Sequence, residues 1–178
     1  MERCFDCYCE NGFGTTGIKT LAAACGMTSA NLYVYFGSLD ELIVESTAYC
    51  MSKIESEFMA VAPKNAADIK RCFEELPYFT AKKHGKKYRL MYQIYTHPKY
   101  VEYGKEFFCG VEKRYSEYAE ILEGAIGLPR KIILAMIYSF VRACVHYALF
   151  EDEDYMKAQM ELLWQTYLMA NEKYGNKP

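Results

Sequence analysis

The chain has 178 residues, of which 52% are hydrophobic, 25% are charged and only 5 are proline. That composition supports a real core and excludes the disordered and collagen-like classes. A formal net charge of −2 gives no overall sign of a polyanion binder, and 17 tyrosines against a single tryptophan point to a pocket or interface whose rings carry polar tips.

Helical periodicity dominates and no alternating strand pattern persists, so the chain reads as all-α. Asn11-Gly12 ends a first helix. Residues 16–24 form a short second helix, stopped by Cys25-Gly26, because glycine tolerates the left-handed turn that follows a helix. Thr28 caps a third helix that runs to about Phe36. Ser38-Leu39-Asp40-Glu41 is a capping box in which Glu41 reaches back to the Ser38 amide, and it opens a fourth helix lasting to about Val61. Residues 66–84 hold a helix kinked at Pro77, followed by a short one over 86–96 that stops before Pro98. Residues 100–125 continue to the Gly127-Leu128-Pro129 break. Residues 129–150 and 153–174 then make a closing antiparallel pair joined by a tight acidic turn.

Residues 12–42 carry the argument for function. They read GFGTTGIKTLAAACGMTSANLYVYFGSLDEL, a helix, a glycine-containing turn and a second helix: the helix-turn-helix arrangement. Leu21, Ala22, Met27, Leu32 and Phe36 form its small core, with Ala22 and Gly26 small where the helices approach. Thr28, Ser29, Ala30, Asn31, Tyr33, Val34 and Tyr35 are left on or near an exposed second helix. Short polar residues at its start can enter a major groove, and tyrosine hydroxyls can reach phosphates.

This stretch resembles the TetR family of transcriptional regulators without a gap, through Gly12-Phe13, Thr16, Leu21-Ala22, Gly26, Leu32-Tyr33, Phe36, Ser38 and Leu42. The resemblance implies a three-helix head at residues 1–45 and a larger helical effector-binding and dimerisation domain at 46–178. It also implies that Thr16 and Gly17 sit near phosphate, that Thr28, Ser29, Ala30 and Asn31 form the reading end of the recognition helix, and that Tyr33, Val34 and Tyr35 flank backbone and groove. The expected protein is a cytoplasmic homodimeric repressor on double-stranded DNA, released by a small-molecule effector. The alternative is a TetR-fold ligand-binding protein whose DNA binding is weak or lost.

Three departures from the family pattern bear on DNA binding, and they leave two options: the true start lies upstream, or that binding is weak or lost. Leu39 stands where a phosphate-contacting lysine is usual, Ser29 and Ala30 stand where a basic residue is frequent, and Met1 falls inside the family's first helix. Residues 1–45 hold Arg3 and Lys19 against Glu2, Asp6, Glu10, Asp40, Glu41 and Glu45, a net charge of −4. Phosphate neutralisation supplies most nonspecific affinity, so each missing cation weakens it.

The middle of the chain is rich in rings, among them Tyr78, Tyr92, Tyr95 and Phe108, read either as ordinary core or as the walls of an effector cavity. Phe108, Tyr115 and Tyr118 recur at helical spacing, so one stripe at least is core. Tyrosine walls suit a flat aromatic or cationic ligand. Arg142 and His146, four apart on an apolar helix, suit either an acidic partner within the protein or an anionic ligand group, so the charge of the effector stays open. Lys82, Lys83, Lys86, Lys87 and Arg89 form a basic run of solvated character.

Ile133, Met136, Ile137, Phe140, Leu163, Trp164 and Tyr167 give the last two helices broad apolar faces, which predicts a symmetric dimer through a four-helix bundle. The apolar stretch 132–150 is interrupted by Arg142 and His146, so it reads as a core or interface helix and no membrane is expected. Eight cysteines stand at mostly apolar helical positions with no secretory leader before them, which suits reduced thiols. Cys4, Cys7 and Cys9 cannot converge on a metal from one helix, although eight thiols leave room for a redox response. Three histidines far apart and no nucleophile or phosphate-loop motif give catalysis no support, and no cofactor is expected.

Overall fold

The computed structural model describes residues 1–175, and its elements are all helices: α1 (Glu2–Asn11), α2 (Ile18–Cys25), α3 (Ser29–Tyr35), α4 (Leu39–Val61), α5 (Ala66–Tyr95), α6 (Val101–Ile126), α7 (Arg130–Phe150) and α8 (Glu153–Tyr174). They belong to two compact units, one of residues 1–60 with 86–107 and the other of residues 61–85 with the described residues from 108 onward.

In the first unit, α1 packs on α2 and α2 on α3. Cys4, Phe5, Cys7 and Tyr8 form the buried face of α1, and they join Leu21, Ala22, Leu32, Leu42 and Ile43 in one core. Met27 and Phe36 are half-buried against the same core, so the five residues expected to hold the two helices together do meet. Residues from the second half of α5 and the turn before α6, Leu90, Met91, Ile94, Tyr95 and Tyr100, complete it.

Local chemistry sets the head's boundaries. Gly26 takes φ 67°, where a side chain would be strained. Its N–H donates to the Ala23 carbonyl at 3.1 Å while that of Met27 donates to Ala22 at 2.8 Å, the two bonds that close a helix on glycine. The Thr28 hydroxyl accepts from the Asn31 N–H at 3.2 Å and so caps α3. The Ser38 hydroxyl accepts from the Glu41 N–H at 3.0 Å, as the capping box requires. The reciprocal bond differs from expectation. Glu41 Oε2 accepts from the Gly37 N–H at 2.7 Å instead of from Ser38. Gly37 has no Cβ to hold that carboxylate off; one would lie 3.0 Å from the same oxygen.

A second correction concerns residues 84–86. The two helices expected there are one, a 30-residue α5 that runs through both Pro77 and Gly85. Gly85 acts as a point of close approach, not as a breaker: a Cβ there would lie 3.1 Å from the Ala148 carbonyl oxygen. Pro77 is fully buried, and the Thr80 hydroxyl, one turn on, donates to the Leu76 carbonyl at 2.6 Å.

In the second unit α7 and α8 pack together over a core that includes Ile69, Phe73, Leu122, Leu128, Ile133, Ala143, Met156 and Leu163. Their turn is short. Glu151 takes the left-handed conformation with φ 57°, and Asp152 Oδ1 accepts from the Tyr155 N–H at 3.0 Å. By length and composition alone α7 could cross a bilayer, and 33% of its most apolar window is buried within the chain.

Candidate nucleic-acid interface

The third helix, α3, offers solvent an unusual set of side chains for its length. Leu32 anchors it in the core at 3% exposure, while Tyr33, Val34 and Tyr35 stand 48%, 80% and 71% exposed. Thr28, Ala30 and Asn31 are exposed at its N-terminal end, and Ser29 is half-buried. Large apolar and aromatic groups left in water carry a solvation cost, so such a patch marks a surface meant to be covered.

At the start of α2 the two expected phosphate neighbours separate. Gly17 is exposed and occupies the N-cap with an extended backbone. Thr16 is buried, and its hydroxyl donates to the Gly12 carbonyl at 2.6 Å, which fixes the turn between α1 and α2. Leu39 is half-buried against the head core, so it offers no polar group at the position where the family usually has a lysine.

The acidic head is answered from within its own unit. Lys53 pairs with Glu2, Lys87 Nζ stands 3.7 Å from Asp6, and Lys99 Nζ stands 2.7 Å from Asp40. Asp40 also accepts from the Tyr100 hydroxyl at 2.5 Å. Lys99 first, then Tyr100, holds the Asp40 carboxyl below its ordinary value. Burial and the Asp40 bond push the Tyr100 hydroxyl up to about 12. Tyr100 in turn sits in a ring cluster with Phe13 and His97, with centroids 6.4 and 5.4 Å away. Sequence reasoning missed this knot, whose members are some sixty residues apart and carry no local periodicity.

The aromatic residues proposed for an effector do not share one unit. Tyr92 and Tyr95 lie in the first, where Tyr95 is buried and its ring meets that of Phe107 at 5.4 Å. Tyr78, Phe108, Arg142 and His146 lie in the second. Tyr78 is exposed, donates to Glu153 at 3.0 Å and meets the Tyr147 ring edge-on. The His146 ring meets those of Phe150 and Tyr155 at tilts of 45° and 46°, with Asp152 Oδ2 at 3.9 Å. Arg142 is exposed, which corrects the expectation of a buried guanidinium; the helix face it shares with His146 reaches solvent. Phe108 is exposed too, whereas the Tyr118 hydroxyl donates to the Pro63 carbonyl from a half-buried ring. Among the described residues no group of three or more His, Cys, Asp or Glu is placed to hold a metal ion.

Of the residues proposed for a dimer face, Ile133, Leu163 and Tyr167 are buried in the chain's own second core, and Met136, Ile137, Phe140 and Trp164 are half-buried against it. The same two helices leave Phe150, Leu162 and Met169 60–70% exposed.

Comparison with known proteins agrees with this architecture. Residues 6–45 match the family model described as bacterial regulatory proteins, tetR family. A TetR transcription regulator from Haloarcula marismortui superposes with a TM-score of 0.72 at 12% identity, over 95% of this chain and 96% of that one. A transcriptional regulator from Rhodococcus sp. Rha1 gives 0.64 at 13% identity, over 99% and 96%. The regulator FadR from Bacillus subtilis, solved in complex with stearoyl-CoA, gives 0.57 at 14% identity, over 90% and 96%. No curated protein matches the sequence. Residues 6–45 thus match a tetR-type head, and nearly the whole chain shares the fold of these solved regulators.

Proposed function

We propose that the protein is a homodimeric DNA-binding transcriptional regulator, a repressor released by a small-molecule effector. The observation that carries this reading is the exposed α3, capped by Thr28 and bearing Tyr33, Val34 and Tyr35 on a head whose sequence matches the tetR model. Ala30 and Asn31 would face base edges and the two tyrosine hydroxyls would meet phosphate oxygens. A second copy would cover the apolar groups left exposed on α7 and α8, and would set two recognition helices about one DNA turn, roughly 34 Å, apart. An effector would act by preferring the state that does not fit DNA, since only differential affinity shifts an equilibrium.

One observation favours a second reading, a TetR-fold ligand-binding protein with weak DNA affinity. Leu39 is packed where a lysine would meet phosphate, and three of the head's six acids are offset by ion pairs inside the protein. Fluorescence anisotropy on duplex DNA from upstream of the protein's own coding region, against a scrambled duplex, separates the two. Tight, sequence-preferring binding that weakens with salt supports the regulator. Absence of binding at low salt supports the second reading.

A further inference from the structure

Two thiols meet inside the head. Cys4 Sγ on α1 and Cys25 Sγ at the last residue of α2 stand 3.2 Å apart, a thiol–thiol hydrogen bond between separate helices. A disulfide of about 2.05 Å needs the sulfurs to close by only about 1 Å. Their surroundings differ. Cys4 is 1% exposed, and burial first, then the bond to Cys25, pushes its thiol up to about 12. Cys25 is half-buried and therefore open to a small solute. The other thiols of α1 are turned elsewhere: Asn11 Nδ2 lies 3.6 Å from Cys7 Sγ, and Cys9 Sγ lies 4.0 Å from the Lys86 carbonyl.

We propose that Cys4 and Cys25 form a disulfide under peroxide oxidation, a modification site that clips α1 to the C-terminal end of α2. The thiolate of Cys25 attacks one oxygen of hydrogen peroxide; the O–O bond breaks, the sulfur becomes a sulfenic acid, and the departing hydroxide takes up a proton as water. The Cys4 sulfur then attacks the Cys25 sulfur; the S–O bond breaks, and the leaving hydroxide carries off the Cys4 proton as a second water. Two thiols are oxidised and one peroxide is reduced to two waters. Cys25 leads because a reagent reaches it, and Cys4 resolves because it is buried and already in contact. The site concerns the head alone and is independent of whether the head binds DNA.

Peptide mapping of the full chain tests this. The reduced protein is exposed to hydrogen peroxide, free thiols are trapped with N-ethylmaleimide, and trypsin is added. Cleavage after Arg3, Lys19 and Lys53 leaves Cys4, Cys7 and Cys9 on one peptide and Cys25 with Cys50 on another, so fragmentation of the linked pair assigns the sulfurs. The expected product is a monomer-internal Cys4–Cys25 link, lighter by two hydrogens, reversed by dithiothreitol and accompanied by a higher melting temperature, because the bond constrains the unfolded chain. Cys25→Ser should lose both the link and the temperature shift, and Cys109→Ser should keep them. If Cys25→Ser does not fold, the map of the unmodified sequence decides alone. Cys4 and Cys25 both trapped by maleimide after peroxide, Cys25 carried on to a sulfinic acid beside a free Cys4, or a link among other cysteines with Cys4 still reduced would each overturn the proposal.

Discussion

The carboxylate of Asp40, in the first turn of α4, accepts a hydrogen bond from the Tyr100 hydroxyl at 2.5 Å, and Lys99 Nζ lies 2.7 Å from the same group. Helix α4, which follows the exposed α3, is thereby tied to the turn that joins α5 and α6, inside one compact unit. Because Tyr100 is buried while Asp40 is solvated, the bond anchors a surface turn to a packed ring.

That tie has a definite pH dependence. Lys99, then Tyr100, holds the folded Asp40 carboxyl below its ordinary value of 3.8. A depressed carboxyl contributes stability that is fully present above the ordinary value and is lost as pH falls through the folded one. Asp40→Asn should therefore lower stability at neutral pH by about 1 kcal/mol, an amount already discounted for solvent screening. The gap between the variant and the natural protein should narrow as pH falls below 3.8. Chemical denaturation at neutral pH and at a pH below that value checks this, and an unchanged gap would sink it.

Two glycines of α6 should respond in opposite directions to alanine. At Gly104 a Cβ would lie 2.7 Å from the Tyr95 Cβ and 2.9 Å from the Tyr95 carbonyl, so Gly104→Ala should cost about 1–3 kcal/mol through overpacking. At exposed Gly124 nothing lies within 4 Å, and Gly124→Ala should stabilise the helix by about 0.5–1 kcal/mol. Thermal unfolding of the pair, followed by circular dichroism, reads both signs.

The DNA reading makes its own demands on α3. Tyr33→Phe and Tyr35→Phe each remove an exposed hydroxyl, so each should weaken DNA binding by about 1 kcal/mol, roughly five-fold, with no change in melting temperature. Leu39→Lys should tighten binding and steepen the salt dependence by about one phosphate contact. Anisotropy titrations over a salt series measure both effects.

Dimerisation is testable on the exposed apolar residues of α8. Leu162 and Met169 are 60% and 70% exposed in the single chain. Leu162→Glu combined with Met169→Glu should leave the monomer folded and shift the assembly from dimer towards monomer, because two charges would be buried without partners. Light scattering coupled to size exclusion reports the mass, and a dimer unaffected by both charges would place the interface elsewhere.

The helix-turn-helix and its caps were legible in the residues themselves. Thr28 holding the Asn31 amide, Ser38 holding the Glu41 amide and Gly26 in the left-handed region are all contacts within four residues, so a one-dimensional pattern contains them. The five-residue head core is equally local, set by apolar spacing on two short helices. The division of the middle aromatics was not legible. Tyr92 and Tyr95 share a helix with Tyr78 yet belong to a different compact unit, because a 30-residue helix is long enough to serve two cores.

Sequence alone determined the helical class and the capped, exposed α3, since those follow from hydrogen bonds and side-chain spacing over one or two turns. Only the tertiary structure decided that Gly85 would run on as helix, that Lys99 and Tyr100 would hold Asp40, and that Cys4 would meet Cys25. Glycine permits a break but does not compel one, and here the close approach of Ala148 fills the space a side chain would have taken. Ion pairs and thiol contacts between segments 21 to 60 residues apart depend on how faces pack, and no local pattern records which face a neighbour will present.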